Sequence, residues 1–484
     1  MNNRHIRVLT KFTLKDLWGS GSVIFVFVSW LIALGVGIGV NAYQHRETQK
    51  NIQVGQAALD SYYKNLHNAY LYFTNIYTVQ RPVPALGFIT QGTSFLAPNM
   101  SDYLPRYSAN FYYSDDVNPL LRIFKPFDLT AIVGIVGCLM ALLLTYQAIN
   151  GEMLKKNLYL LELSGAHASS RYLSKLLSYQ MVILSTFLLA FVLVLFALGQ
   201  WLQIDLASHL KELQALALVS CVHIFFSVAL GLALSAIFAS PAKSFSMGIA
   251  IFLFQVFVIP LICVEWVSFT HPMKIGSTDL QERKINYSRF IHRRLDPYNE
   301  EVRKKTQKLA RLTPENLSTL WDEESKVEFF MFVTSNSNYA VNIDEDFFAM
   351  QSEFAARVAA IARWLSPYFA LQLSIAETAD VGIHAEKAMV HNIAHKHFIK
   401  YRLWFWDYFM SPLDYFSEPI HRWIFARNKT PQDIGAIGHV QAPRLPMSEK
   451  LLNILQDVLS LIFWSFICIA WGWFGSIRMS QVKE

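Results

Sequence analysis

Six long runs of apolar residues constrain this chain more than any other feature. Each has about twenty residues or more, the length that an α-helix needs to cross roughly 30 Å of hydrocarbon. Lipid tolerates only helices or closed barrels, and runs of this length exclude strands. The sequence therefore predicts an all-α polytopic membrane protein with six transmembrane helices. These are residues 23–42, 127–148, 176–200, 213–238, 245–269 and 449–475.

Composition supports a membrane protein. Only 16% of the 484 residues are charged, whereas soluble proteins carry about a quarter. The four cysteines all lie in apolar runs, so neither a disulfide framework nor a CxxC metal site is predicted. The first run follows a basic segment, but it is longer than the roughly 7–15 apolar residues of a signal peptide. We therefore expect it to be retained as a membrane helix.

Basic residues indicate the orientation of the helices. Lysine or arginine occurs in segment 1–22, in loop 149–175, after the fourth run and in the tail 476–484. Helices that alternate in direction place all of these on one side. The positive-inside rule then predicts a multi-pass protein of a bacterial inner membrane with both termini cytoplasmic. Two long segments, 43–126 and 270–448, are expected on the periplasmic side.

The segment 270–448 carries the pattern of a helical domain. Apolar residues recur at three- and four-residue steps from Phe347 through Phe354 and Val358 to Leu365. Ser366 followed by Pro367 is typical of a helix start, because serine caps the first turn and proline fits the first helical position. We expect a large, mainly helical domain with a core of its own.

The N-terminal segment 1–22 is predicted to form an interfacial helix. Arg4, Arg7, Lys11 and Lys15 recur at helical spacing and form one basic stripe beside apolar residues such as Phe12. Such a helix lies in the headgroup plane, where its cations meet anionic lipid. The alternative is a simple positive flank that orients the first span.

The loop 149–175 predicts a docking element. Leu158 and Leu161 give a short helix an apolar side, which ends at Ser164-Gly165, and a second helix then leads into the third span. A helix, a break and a helix between two spans suit docking into a groove on a soluble partner. The alternative is an ordinary basic loop.

The same loop resembles a known family. The run from Ala148 to Glu152, followed by Ser169 and Lys175, is similar to the loop after the second span of type-2 ABC transporter permeases. The segment Leu365–Arg402 resembles the long-loop branch of that family, designated a domain of unknown function. The resemblance implies a coupling helix that docks a separate ABC ATPase subunit. The docking residues would be Gly151, Glu152, Lys155, Leu158, Leu161 and Ser164. It also implies a second permease half, either another copy of this chain or a sibling.

Motifs for catalysis are missing from the sequence. It contains no GxxxxGK[ST] loop, HExxH, GxSxG or dinucleotide-binding fingerprint, so the chain is not expected to be an enzyme. ATP and magnesium are expected in the partner ATPase, with no cofactor in this chain. His384, His391 and His395 share a predicted helix, but no carboxylate or thiol is placed to complete a metal site. Its basic residues orient the spans, and no nucleic-acid partner is expected.

Three ionisable residues lie within or near the spans: His223, Glu265 and Asp457. Such groups are costly at membrane depth and usually face the bundle interior or a cavity. One face of the last span is polar and suggests an internal surface, formed by Asn453, Gln456, Asp457 and Ser460. Glu265 and Asp457 are near the outer ends of their spans, so we expect interfacial exposure for both.

Two functions fit these features. The leading interpretation is the permease subunit of an ABC exporter that couples a separate ATPase to efflux across the inner membrane. The alternative is an ATP-driven mechanical transmitter that acts on a periplasmic or envelope partner without solute flux. A membrane-embedded enzyme ranks third, because no nucleophile–base or metal constellation is visible.

Overall fold

Six membrane-spanning helices dominate the computed structural model. It describes residues 3–64, 77–80, 82–90, 92, 100–104, 108–112, 127–154, 167–203, 205–272, 282, 286, 348–391 and 444–481. Within these residues, six helices are long and apolar enough to cross a membrane. They are span 1 Ser22–Ala58, span 2 Leu129–Glu152, span 3 Ala168–Leu202, span 4 Leu206–Ile237, span 5 Pro241–Thr270 and span 6 Met447–Met479. The predicted polytopic α-helical membrane fold is confirmed.

Span 4 is the central helix of the bundle. In its most apolar stretch 72% of the residues are buried, against 28% in span 5 and 33% in span 6. Span 4 contacts spans 2, 3, 5 and 6, and span 1 packs on span 3. Spans 5 and 6 therefore have broad apolar surfaces that no other described part of the chain covers.

Shorter helices and one small sheet complete the described part of the chain. The helices are α1 (Asn3–Gly19), α2 (Asn150–Leu154), α3 (348–365), α4 (Pro367–Thr378) and α5 (Ile383–His391). Three strands form an antiparallel sheet in the order β1 (Tyr77–Gln80), β2 (Met100–Leu104) and β3 (Ser108–Tyr112). In its register, Tyr77 is opposite Tyr103 and Met100 is opposite Tyr112. This sheet is an addition to the predicted helices.

Helices α3 and α4 form a helical hairpin (348–378) that enters the bundle. The predicted helix start is confirmed, because the Ser366 hydroxyl accepts a hydrogen bond from the backbone N–H of Phe369 at 3.2 Å. Leu371 and Ile375 of α4 are buried in the same core as the membrane spans. The expectation of a separate core is therefore wrong for this part. The apolar face of α4 is buried against spans 4 and 6 instead.

Candidate functional site

The beginning of the predicted docking loop is fixed to span 4. The side-chain amide of Asn150 donates to the carbonyl of Phe238 at 3.1 Å. The backbone N–H of Ile149 donates to Ser235 Oγ at 3.0 Å. Phe238 is the C-cap of span 4, and the last carbonyls of a helix have no partner inside it. Asn150 thus caps span 4 from the neighbouring chain segment, and α2 begins at a defined position.

Glu152 connects the same helix to span 3. Its carboxylate lies 2.5 Å from Nζ of Lys175, which also donates to the carbonyl of Ala148. Lys175 is buried, whereas a quarter of the Glu152 side chain is exposed. A buried ammonium needs a close anion to offset its lost hydration, so this pair fastens α2 to span 3.

The structure describes two of the six predicted docking residues. Gly151 is half-buried, and an added Cβ would make only an ordinary contact with Gln147 Cβ at 3.5 Å, so sterics do not require glycine here. Glu152 has the anchoring role given above. The other four lie outside the described residues: Lys155, Leu158, Leu161 and Ser164. Docking by this set stays a prediction.

Sequence reasoning missed the contacts between this loop and span 4. Ser235 and Asn150 are separated by 85 positions, and no local pattern marks either residue as a partner of the other. The pair formed by Glu152 and Lys175 had a weak signal, since opposite charges occur in one short loop whose other charged residues are mostly basic. Only the packing of three spans brings these residues together.

Helix α1 is amphipathic and lies on the same side of the bundle as α2. One face packs on span 3, where the hydroxyl of Ser178 donates to the carbonyl of Thr10 at 3.2 Å. The described side chains of the basic stripe are exposed, namely Arg7, Lys11 and Lys15. Phe12 and Trp18 are 68% and 71% exposed, and the side chain of Arg4 lies outside the described residues. Exposed rings beside cations suit a helix in the headgroup region.

The three ionisable residues singled out near the spans have different surroundings. His223 is 2% exposed at the centre of span 4, beside the backbone of Pro367, where α4 begins. Glu265 is exposed near the end of span 5, as expected. Asp457 is 1% exposed, so its expected exposure at the interface is wrong. The reason is Arg363 of α3, whose Nε lies 3.5 Å from Oδ1 of Asp457.

A second charged cluster lies at the beginnings of spans 4 and 6. Lys450 is fully buried, with Nζ 2.6 Å from Oδ2 of Asp380 and 3.6 Å from Oε1 of Glu212. Arg444 contributes another cation, 2.8 Å from Glu212. Burial raises the pKa of Asp380, and the ammonium of Lys450 partly offsets that rise. Two acids and two bases make the cluster neutral, and it joins the end of the hairpin to two spans.

The structure describes two of the three histidines of the metal-like pattern, His384 and His391, and both lie in α5. His384 Nδ1 lies 3.0 Å from Oε1 of Glu377, and this hydrogen bond raises the pKa of His384 against the opposing effect of burial. His391 ends α5, and His395 lies outside the described residues. In the part of the chain that the structure describes, no group of three potential ligands is placed to hold a metal ion.

Comparison with known proteins gives a family match. The family model for ABC-2 family transporter proteins matches residues 11–320. That range includes spans 1 to 5 and both anchoring residues of the loop, Asn150 and Glu152. Comparisons with curated proteins and with solved structures give no match.

Proposed function

The chain belongs to the ABC-2 family of transporter proteins, and from this premise we propose that it is the permease subunit of an ATP-driven exporter. Its family makes it a membrane component of an ABC transporter. We infer further that it couples a separate ATPase subunit to efflux across a bacterial inner membrane. In this orientation α1, α2 and both termini are cytoplasmic.

The anchored start of the loop carries this proposal. Asn150 holds α2 to the end of span 4, and Glu152 holds it to span 3 through Lys175. A force applied to the following residues would therefore reach two spans at once, one of them the central helix of the bundle. A soluble motor that docks on residues 155–164 needs such a base to change the packing of the spans.

An exporter of this kind also needs a nucleotide-binding subunit, a second permease half and surrounding lipid. ATP and magnesium would bind in the partner subunit, because this chain has no P-loop motif. A second permease half, identical or a sibling, would cover the exposed apolar surface of span 5, which includes Phe254, Leu261 and Ile262. Lipid would cover the rest and contact α1. No nucleic acid is involved.

Charge on the predicted docking face tests the proposal. We expect Leu158→Glu or Leu161→Glu to abolish co-purification of the ATPase, because a carboxylate cannot enter an apolar groove without losing hydration. Ala242→Glu is the matched control, since it adds the same charge at an exposed position in the first turn of span 5. Wild-type recovery of the ATPase with both leucine variants would refute docking at this site.

One observation favours the alternative of mechanical transmission. The helix that contains span 1 runs without interruption from Ser22 to Lys64, 43 residues, so it extends well beyond the bilayer. Such a rod could carry motion from the cytoplasmic side to a partner in the envelope. Vesicles reconstituted with the ATPase distinguish the two functions. Substrate flux supports export, whereas ATPase stimulation by a periplasmic partner without flux supports transmission.

A further inference from the structure

The turn between α4 and α5 surrounds a buried carboxylate. Glu377 lies in the last turn of α4 and is only 5% exposed. Its Oε1 accepts a hydrogen bond from the backbone N–H of His384 at 3.2 Å. At Gly382 an added Cβ would lie 2.7 Å from Oε2 of Glu377, so a side chain at position 382 would displace the carboxylate. The chain therefore passes directly around this carboxylate before α5 begins at Ile383.

The imidazole of His384 contacts the same carboxylate. Nδ1 of His384 lies 3.0 Å from Oε1 of Glu377, whereas half of the His384 side chain is exposed. Because Nδ1 donates to the acid, Nε2 is the nitrogen that gains or loses a proton. An imidazolium donates a charge-assisted hydrogen bond, which is about twice as strong as a neutral one. The strength of the contact between α5 and α4 therefore depends on the protonation state of His384.

The other charges beside His384 oppose one another. Lys387 of α5 disfavours a positive imidazole and Glu449 of span 6 favours it, and both are exposed. Glu386 of α5 is buried and adds no positive charge. The hydrogen bond to Glu377 is the largest influence, and it raises the pKa of His384 against the opposing effect of burial. The imidazolium is therefore favoured in the folded protein.

The charges on α3 and span 6 leave one negative charge for the imidazolium to neutralise. Asp457 of span 6 interacts electrostatically with Glu377, and Arg363 of α3 lies 3.5 Å from Asp457. The remaining charges described on α3, Glu353 and Arg357, pair with each other. Two buried acids thus face one guanidinium. A proton on the imidazole makes this group neutral, which lowers the cost of burying the two acids.

We propose that His384 and Glu377 form a proton-binding site that fastens α5 to α4 more firmly when His384 is protonated. The ligand is the proton itself, taken from the water on the side of the membrane where α5 lies. Because α5 leads into residues 392–443, the pH on that side sets how firmly this part of the chain is held to the bundle. Placement of that side in the periplasm rests on the orientation proposed above. The proton response does not, so the two can fail separately.

Acid should stabilise this turn, and alkali should weaken it. The pKa of His384 is raised in the folded protein, so its contribution to stability is complete below 6.5, the ordinary value of a histidine. The contribution is lost as the pH rises through the folded-state pKa. An ion pair whose carboxyl pKa is lowered by folding has the opposite dependence, since acid weakens it. The direction of the response therefore identifies a histidine whose charged form is stabilised.

Hydrogen–deuterium exchange of peptides that cover α5 tests the site in the full-length protein. Exchange is corrected for its intrinsic pH dependence. We expect local opening to become about fivefold more frequent between about pH 5.5 and about pH 8.5, because a charge-assisted hydrogen bond is replaced by a neutral one. His384→Gln should remove this response, because glutamine stays neutral throughout. A response that persists in His384→Gln would come from another group, such as Asp380 in the same turn, and would overturn the proposal.

Two further variants complete the test. His391→Gln is the matched control, because it removes the other histidine of α5, and it should keep the wild-type response. Loss of the response in His391→Gln would also contradict the proposal. Glu377→Gln keeps the shape of the side chain but removes the charge that favours the imidazolium, so it should flatten the response as well. A folded Glu377→Gln protein with the full wild-type response would exclude Glu377 as the partner of the proton-binding histidine.

Discussion

Replacement of Lys450 by methionine should loosen the end of the hairpin. Methionine keeps the apolar length of the side chain, so the variant removes mainly the charge. Lys450 is fully buried and lies 2.6 Å from Asp380 and 3.6 Å from Glu212. Breaking a buried pair by removing one partner costs about 3–5 kcal/mol. We expect Lys450→Met to cost about 3 kcal/mol of local stability, the lower end of this range, because Arg444 still neutralises Glu212 at 2.8 Å.

Hydrogen–deuterium exchange measures this loss locally. A cost of about 3 kcal/mol corresponds to roughly 100-fold more frequent opening, since each 1.36 kcal/mol is a factor of ten. Peptides that cover α4 and α5 should therefore exchange about 100-fold faster in Lys450→Met. Lys211→Met is the matched control, because Lys211 is exposed and adjacent to Glu212 in span 4. An effect of Lys450→Met no larger than that of Lys211→Met would refute the reasoning.

The effect of Lys450→Met should also depend on pH. Burial already raises the pKa of Asp380, and Lys450 opposes that rise. A carboxyl whose folded-state pKa is raised destabilises the fold above that pKa, and the penalty disappears as pH falls through it. Without Lys450 the pKa of Asp380 should rise further, so the difference in stability between Lys450→Met and wild type should shrink as the pH falls from neutral to acid. Asp380→Asn added to Lys450→Met should remove most of this pH dependence.

Two further predictions concern helix contacts. Glu152→Gln should lower ATPase-coupled activity and thermal stability, because Lys175 stays buried without its anion. The exchanged pair, Glu152→Lys with Lys175→Glu, should recover both properties. Full activity of the Glu152→Gln variant would contradict the anchoring role. Gly134→Ala should lower the melting temperature of the folded protein, because the added Cβ would lie 2.5 Å from the ring of Tyr368. Gly35→Ala is the control, because no atom lies within 4 Å of its added Cβ. This variant should be neutral or stabilising by up to about 1 kcal/mol.

Local patterns in the sequence were sufficient to predict the six spans and several helix boundaries. Hydrophobic length decides whether a helix can cross a bilayer, and that length can be counted along the chain. The helix start at Ser366 and Pro367 was predictable for a similar reason, because capping involves residues within one turn. The burial pattern of α3 was predicted only in part. Val358 is buried, but Leu365 is 46% exposed at a groove beside span 5.

Contacts between distant elements could not be predicted in this way. Arg363 and Gln456 are 93 positions apart, and Asn150 and Phe238 are 88 apart. Sequence periodicity shows that one face of span 6 is polar, but it does not show which element meets that face. The expected exposure of Asp457 failed for this reason, since its cation comes from a segment that was assigned to a separate domain.

The sequence by itself determined six apolar helices, a basic amphipathic helix at the N-terminus and the start of α4. Each of these depends on residues within a few turns of one another. Only the tertiary structure decided that the hairpin enters the bundle, that Lys450 joins two acids and that Asn150 caps span 4. The physical reason is that a buried charge or an unpaired carbonyl requires a partner, and many residues of suitable chemistry exist. Which of them becomes the partner depends on how the helices pack.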